Sequence, residues 1–148
     1  MPLCVPWHAR VIYNATSSAP RGWYLAIPAA DLKVGDFAVV RLPMNVAAFA
    51  DERSYLPLGI PLVKRVGAVA GQHACMIANR LYIDGLLATI ARTRDGSARA
   101  LTPWTGCRVL DEGEVLLVSE HEASFDSRYF GPLSVSCVTA RAIGVWIW

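Results

Sequence analysis

A mainly β fold, an antiparallel sheet coiled into a barrel-like form with one or two short helices, is what the sequence predicts. Two observations lead there. Apolar and β-branched residues alternate or cluster in short runs, and Gly, Pro or Asp bounds most of them. Many short strands with frequent turns argue for a sheet that coils upon itself.

The runs read as strands are residues 23–27, 37–42, 62–69, 73–78, 80–83, 114–119 and 140–146. Residues 45–55 are the best helix: Asn45 can cap it, Val46, Phe49 and Ala50 share a face, and Pro57 and Gly59 stop it. A second helix starting at Ser17 or Ser18 is held to a turn by Pro20 and Gly22. Residues 92–102, where Arg92, Arg94 and Arg99 flank a Gly/Ser loop, read as a solvated excursion and the most mobile stretch by composition. With no internal repeat and no linker, 148 residues form a single domain, 1–148, long enough to bury a core.

Composition narrows the function. A net charge of +2 with scattered Lys and Arg gives no case for nucleic acid. Charged residues make up 18% and the mean hydropathy is +0.35, so apolar surface must go into a thick core or onto an exposed face. Tryptophans near both ends, at positions 7, 23, 146 and 148, suit sites where one ring edge is wet, though core packing suits any single one as well. No run reaches the roughly 18 to 20 apolar residues of a membrane-spanning helix. The start of the chain is broken by Pro2, Pro6, His8 and Arg10, which excludes a signal peptide. Cys4, Cys75, Cys107 and Cys137 contain no CxxC, and His8 and His73 show no ligand spacing with them, so neither metal nor cofactor is expected. In an oxidising compartment these cysteines allow three pairings; elsewhere they are buried thiols.

Three segments carry chemistry. Ser18 lies at a Pro/Gly-stiffened turn between apolar stretches, and no Asp or His stands where the familiar triad would need one. Lys64 follows Ile60, Leu62 and Val63. A serine hydroxyl needs a neutral neighbouring base, and a lysine can serve once burial lowers its pKa from roughly 10.4 by about 3 units. A solvated Lys64–Arg65 pair ending a strand is the plainer alternative. The third segment runs from Ser124 through Phe125, Asp126, Ser127, Arg128, Tyr129 and Phe130 to Gly131.

In this order the segments resemble the type I signal peptidases, and most closely their TraF branch of conjugative-transfer peptidases. The branch's N-x-T-x-S-x-P-x-G-x-Y is matched from Asn14 to Tyr24 and selects Ser18 over Ser17. Its K-R-V corresponds to Lys64, Arg65 and Val66, and its S-x-D-S-R-Y-F-G to Ser124 through Gly131. Val34 to Val40 resembles the family's G-D strand, and Leu81 to Gly85 the strand that ends in an asparagine-glycine turn.

The resemblance implies a signal peptidase fold and a serine endopeptidase. Ser18 would attack a peptide carbonyl while neutral Lys64 takes its proton, and water would resolve the acyl-enzyme. The backbone N–H of Ser18 and the Thr16 hydroxyl would face the oxyanion, with a turn-forming role for Thr16 as the alternative. Ser124 would hold the lysine towards Ser18. Asp126 would help orient Lys64 or form a buried pair with Arg128, and both readings predict damage when it is changed. Ala19, Pro20, Ile60 and Leu62 would line a groove that takes the substrate as an added strand. The resemblance favours a Cys75–Cys107 disulfide.

One departure concerns the family's Gly-Asp-Asn before the third segment, replaced here by Val118, Ser119, Glu120, His121, Glu122 and Ala123. Glu120 or Glu122 is left to pair with Arg65 or to stand solvated. Family members usually begin with a hydrophobic membrane anchor, which is not expected within Met1 to Tyr13, and the periplasmic face of the inner membrane is the location that the resemblance alone implies. The partners implied are an exported precursor, a conjugative pilin subunit above all, and the membrane surface. Hydrolysis and head-to-tail cyclisation share the acylation step. Two alternatives are a self-cleaving Ser/Lys regulator of the repressor type and a silent peptide-binding β module. No helix-turn-helix region or cleavage segment supports the first, and the joint presence of Ser18, Lys64 and Ser124 speaks against the second.

Overall fold

A computed structural model describes residues 10–14 and 19–147. The chain builds two antiparallel sheets rather than one closed barrel. Seven strands form the larger: β1 (Arg10–Asn14), β2 (Gly22–Ile27), β3 (Phe37–Val40), β4 (Leu62–Val69), β9 (Glu114–Leu117), β10 (Leu133–Ser134) and β11 (Val138–Ile147), in the order β1-β2-β11-β3-β4-β9-β10. The smaller, ordered β7-β6-β5-β8, consists of β5 (His73–Ile77), β6 (Arg80–Ile83), β7 (Leu86–Ile90) and β8 (Cys107–Val109).

Strand β4 organises the site because it changes partner halfway. Its first half pairs with β3, Lys64 opposite Ala38, and its second half with β9, Val66 opposite Leu117. Ala68, Leu116 and Val118 of this region join Ala74 and Leu81 in one buried cluster, which fastens the small sheet to the large one. In the small sheet, Asp84 and Gly85 take positive φ between β6 and β7, as a two-residue hairpin turn requires. Cys75 and Cys107 sit opposite each other on β5 and β8, and their sulfurs are bonded.

Helix α1 spans Met44–Glu52, earlier at both ends than the predicted 45–55. Asn45 lies inside it and does not cap. Pro43 takes the capping position with no side-chain bond, and its carbonyl accepts from Ala47 N–H at 2.8 Å. The ring holds Leu42 out of helical geometry, so the helix begins directly after Pro43. Ser54 ends it by adopting φ 59°, while Tyr55 N–H reaches back to the Ala50 carbonyl at 2.8 Å. The second described helix, α2, is Ser127–Phe130; the turn expected to begin at Ser17 or Ser18 lies outside the described residues. Among the described residues no helix is long and apolar enough to cross a membrane.

Four strands lie outside the predicted set. On β1 and β7 outward positions such as Val11, Tyr13, Leu86 and Ile90 are apolar and exposed, so no polar alternation marks them. β8 and β10 have three and two residues, too few to show a period.

Candidate active site

Strand alternation decides where Lys64 points. Leu62, Lys64, Val66 and Ala68 form the inward row of β4, and Lys64 is only 2% exposed. Its Nζ donates to Ser124 Oγ at 2.6 Å. Loss of water pushes the ammonium pKa down from 10.5 to about 8; the nearby Asp126 charge opposes that shift and the Arg128 charge adds to it. Roughly a tenth of the amine is then neutral at pH 7, against a few parts in ten thousand for a solvated lysine.

The acceptor for Lys64 is fixed by a buried ion pair. Asp126 and Arg128 are both fully buried, with Arg128 Nε on Asp126 Oδ1 and Nη2 on Oδ2, each at 2.8 Å. The same carboxylate caps α2 by accepting from Arg128 N–H at 3.0 Å, and it accepts from Ser119 N–H at 2.8 Å. Arg128 also donates to the carbonyls of Ser119, His121 and Glu122 at 3.0–3.2 Å. One guanidinium thus gathers the loop that ends at Ser124, and Ser127 Oγ ties α2 to β9 by accepting from Leu117 N–H at 2.8 Å. Asp126 is therefore paired with Arg128, and its reach to Lys64 is electrostatic. Arg65, on the outward row, lies over the Phe37 ring and pairs with Glu120 at 2.9 Å, whereas Glu122 pairs with Arg92 at 3.0 Å.

Thr16, Ser17 and Ser18 lie outside the described residues, as do Cys4, Trp7, His8 and Trp148. Both ends of the Ser18 segment are fixed. Asn14 Nδ2 donates to the carbonyls of Ala19 and Pro20 at 3.1 and 3.2 Å, and Tyr24 Oη donates to that of Pro20 at 2.5 Å. The first and last fixed residues of the segment therefore both hold the Pro20 carbonyl. Ala19, next after Ser18, shares a buried cluster with Val63, next before Lys64.

Lys64 and Ser124 line a cavity of about 660 Å³. Leu62 lines it too, while Ile60 and Pro20 are exposed and Ala19 is in the core, so the four residues proposed for a groove do not share one wall. The far wall comes from a region that the sequence reading set aside. Residues 92–102 are bound into place: Arg94 bridges to Ala100, and Asp95 accepts from Tyr55 Oη at 2.6 Å, Arg99 Nε at 2.9 Å and Arg53 Nη1 at 3.3 Å. The Tyr55 hydroxyl above all holds the Asp95 carboxyl well below the usual range. The Asp-Gly-Ser turn at 95–97 was the available signal; its partners Arg53 and Tyr55 just past the end of α1, some 40 positions away in the chain, were not. Among the described residues no group of His, Cys, Asp and Glu could hold a metal.

Residues 4–148 match the family described as signal peptidase, peptidase S26. The chain is 37% identical to the conjugal transfer protein TraF of Agrobacterium fabrum strain C58, over 81% of this chain and 73% of that protein. It is 34% identical to the conjugal transfer protein TraF of Agrobacterium tumefaciens strain 15955, over 87% and 78%. The plasmid transfer protein TraF of Escherichia coli is 32% identical over 91% of this chain and 82% of its own length.

Proposed function

The chain belongs to the S26 signal peptidase family, and from that premise we propose that it is a Ser/Lys endopeptidase that matures an exported precursor, a conjugative pilin subunit. The observation that carries this reading is a buried lysine, its ammonium held by a serine hydroxyl at 2.6 Å, whose chain neighbour Val63 packs in the same cluster as the neighbour of Ser18. A solvated Lys64 would have no such constraint and too little neutral amine.

In the proposed reaction the Ser18 hydroxyl attacks the substrate carbonyl and its proton passes to neutral Lys64. The oxyanion is met by the Ser18 backbone N–H and the Thr16 hydroxyl. Collapse expels the amine, which takes the proton back from Lys64, and leaves an ester on Ser18. Water attacking that ester gives a linear product; the substrate's own amino terminus gives a ring. Ser124 keeps the amine from swinging away, and the Asp126–Arg128 pair keeps Ser124 in place.

The setting proposed is the periplasmic face of the inner membrane, and one surface supports its membrane-facing part. Tyr13, Trp23 and Trp146 stand in register across β1, β2 and β11, and Val11, Leu25 and Ile143 form the next row. Most of these side chains are exposed, with Trp146 at 71%, which suits a headgroup layer.

The test is cleavage of a pilin-type precursor by the wild type, Ser18→Ala and Lys64→Ala, with products weighed by mass spectrometry. Loss of cleavage in both variants, by about a thousandfold or more, is expected. Equal cleavage by all three proteins would remove the dyad. A product lighter by one water than the linear peptide would identify ring closure.

A further inference from the structure

The wall of the Lys64 cavity opposite β4 is basic. Arg53, Arg92, Arg94 and Arg99 line it, and Asp95 is the one carboxylate among the lining residues described. Arg53 and Arg99 share that carboxylate, and Arg92 pairs with Glu122. Arg94 donates to the Ala98 carbonyl at 3.0 Å and has no ion pair among those found in the described residues. Even with Glu122 counted, four guanidiniums face two carboxylates.

This wall is built rather than left over. The Asp95 side chain is almost fully covered, 4% exposed, and takes backbone N–H groups of Ser97 and Arg99 at 2.9 Å in addition to the side chains already named. That set of bonds stiffens the turn which displays Arg94 and Arg99 and anchors it to the end of α1. Like charges gathered on a fixed turn cost stability unless an anion offsets them. The same cavity is also lined by Leu56, Leu62, Leu101 and Phe125, apolar surface that an extended peptide with small side chains would need.

We propose that the arginine wall formed by residues 92–99 and Arg53 recognises a carboxylate on the peptide that enters the Lys64 cavity, supplied by an acidic side chain or by the peptide's free C-terminus. The proposal rests on the peptidase reading for its ligand class. Arg94 is the principal contact, since its guanidinium is the one not already matched by an acid. Arginine suits the task through its paired N–H groups, which fit both oxygens of a carboxylate.

Binding and cleavage are measured separately. Calorimetry on Ser18→Ala protein uses short alanine-rich peptides in which one glutamate is moved along the chain, their glutamine counterparts, and glutamine peptides with free or amidated C-termini. A gain of about tenfold for glutamate over glutamine at the favoured position, or for the free acid over the amide, is expected at low salt and shrinks as salt rises. The first arm identifies a side chain and the second a terminus. Adding Arg94→Gln abolishes the gain and Arg94→Lys retains part of it, with thermal melts checking that each variant is folded. Equal affinity across every pair, no measurable binding of any peptide, or a full gain in Arg94→Gln would overturn the inference. Cleavage by the wild type that ignores the acid yet needs Ser18 and Lys64 would sink the anion site and leave the peptidase standing. Acid-dependent binding beside cleavage indifferent to Ser18 and Lys64 would do the reverse.

Discussion

Lys64 carries a stability cost that its proposed role requires. Its folded pKa of about 8 lies below the 10.5 of the unfolded chain, so between those values the unfolded state binds more protons and stability rises with pH. Below about pH 8 both states are protonated and the whole penalty applies, roughly 3 kcal/mol. Lys64→Met is expected to remove activity yet raise stability at pH 7 by up to that amount, and the advantage should fade as pH climbs from 8 to 10. Urea unfolding of both proteins at pH 7 and pH 9.5 measures it; a Met variant less stable at pH 7 would contradict the account. In the same way kcat/KM of the wild type should rise through about pH 8, where the base loses its proton. At this scale the sequence was informative. The apolar run before Lys64 indicated burial because alternation on β4 places 62, 64 and 66 on one face. It could not show that Asp126 acts on Lys64 only at a distance, because that depends on how fully Arg128 occupies both carboxylate oxygens.

Among the elements, α2 and the loop before it depend on one guanidinium. Arg128→Met leaves Asp126 buried without its cation and releases three loop carbonyls, which should cost about 3–5 kcal/mol. Because Ser124 rides on that loop, kcat should fall even where the variant is folded. Hydrogen exchange at residues 119–124 checks the loop, and kcat at a temperature well below the melt checks the consequence; a stable variant with intact kcat would show that the pair does not position Ser124. The small sheet has a different tie. The Cys75–Cys107 bond closes a span of 32 residues, worth between about 3 and 4 kcal/mol in the chain-entropy account. Cys107 is exposed, so a mild reductant should reach the bond and lower the urea midpoint accordingly. β6, with Leu81 and Ile83 inward and Arg80 outward, was legible from period, and β4 was legible as an apolar run. β8 and β10, with three and two residues, were not, and α1 was displaced because Pro43 and Ser54 set its ends rather than Asn45 and Pro57.

At the scale of the molecule, the apolar surplus seen in the composition goes to two places. Tyr24, Ala26, Ala140 and Ala142 take the inner face of the β1-β2-β11 region into the core. The outer face of the same strands keeps Val11, Tyr13, Trp23, Ile143 and Trp146 in contact with solvent. Tyr13 and Trp23 lie with ring centroids 5.0 Å apart, and Gly22 lets the backbones of β2 and β11 close beneath them: at φ 138° it lies against the Trp146 carbonyl, where a Cβ would collide. Sequence could point to tryptophans near both ends, but only antiparallel pairing of β2 with β11 makes them neighbours. Two indole rings and a phenol on one rigid face bring large amphipathic area at little entropic cost, which a headgroup layer rewards and bulk water does not. The protein is therefore expected to sediment with phospholipid vesicles, its tryptophan emission moving to shorter wavelength as lipid is added. Trp23→Ser combined with Trp146→Ser should weaken vesicle binding by about tenfold or more, while cleavage of a short soluble peptide in detergent-free buffer changes far less. The two readouts separate a membrane-facing surface from part of the catalytic cavity. Unaltered vesicle binding in the double variant would assign this face to a protein partner instead.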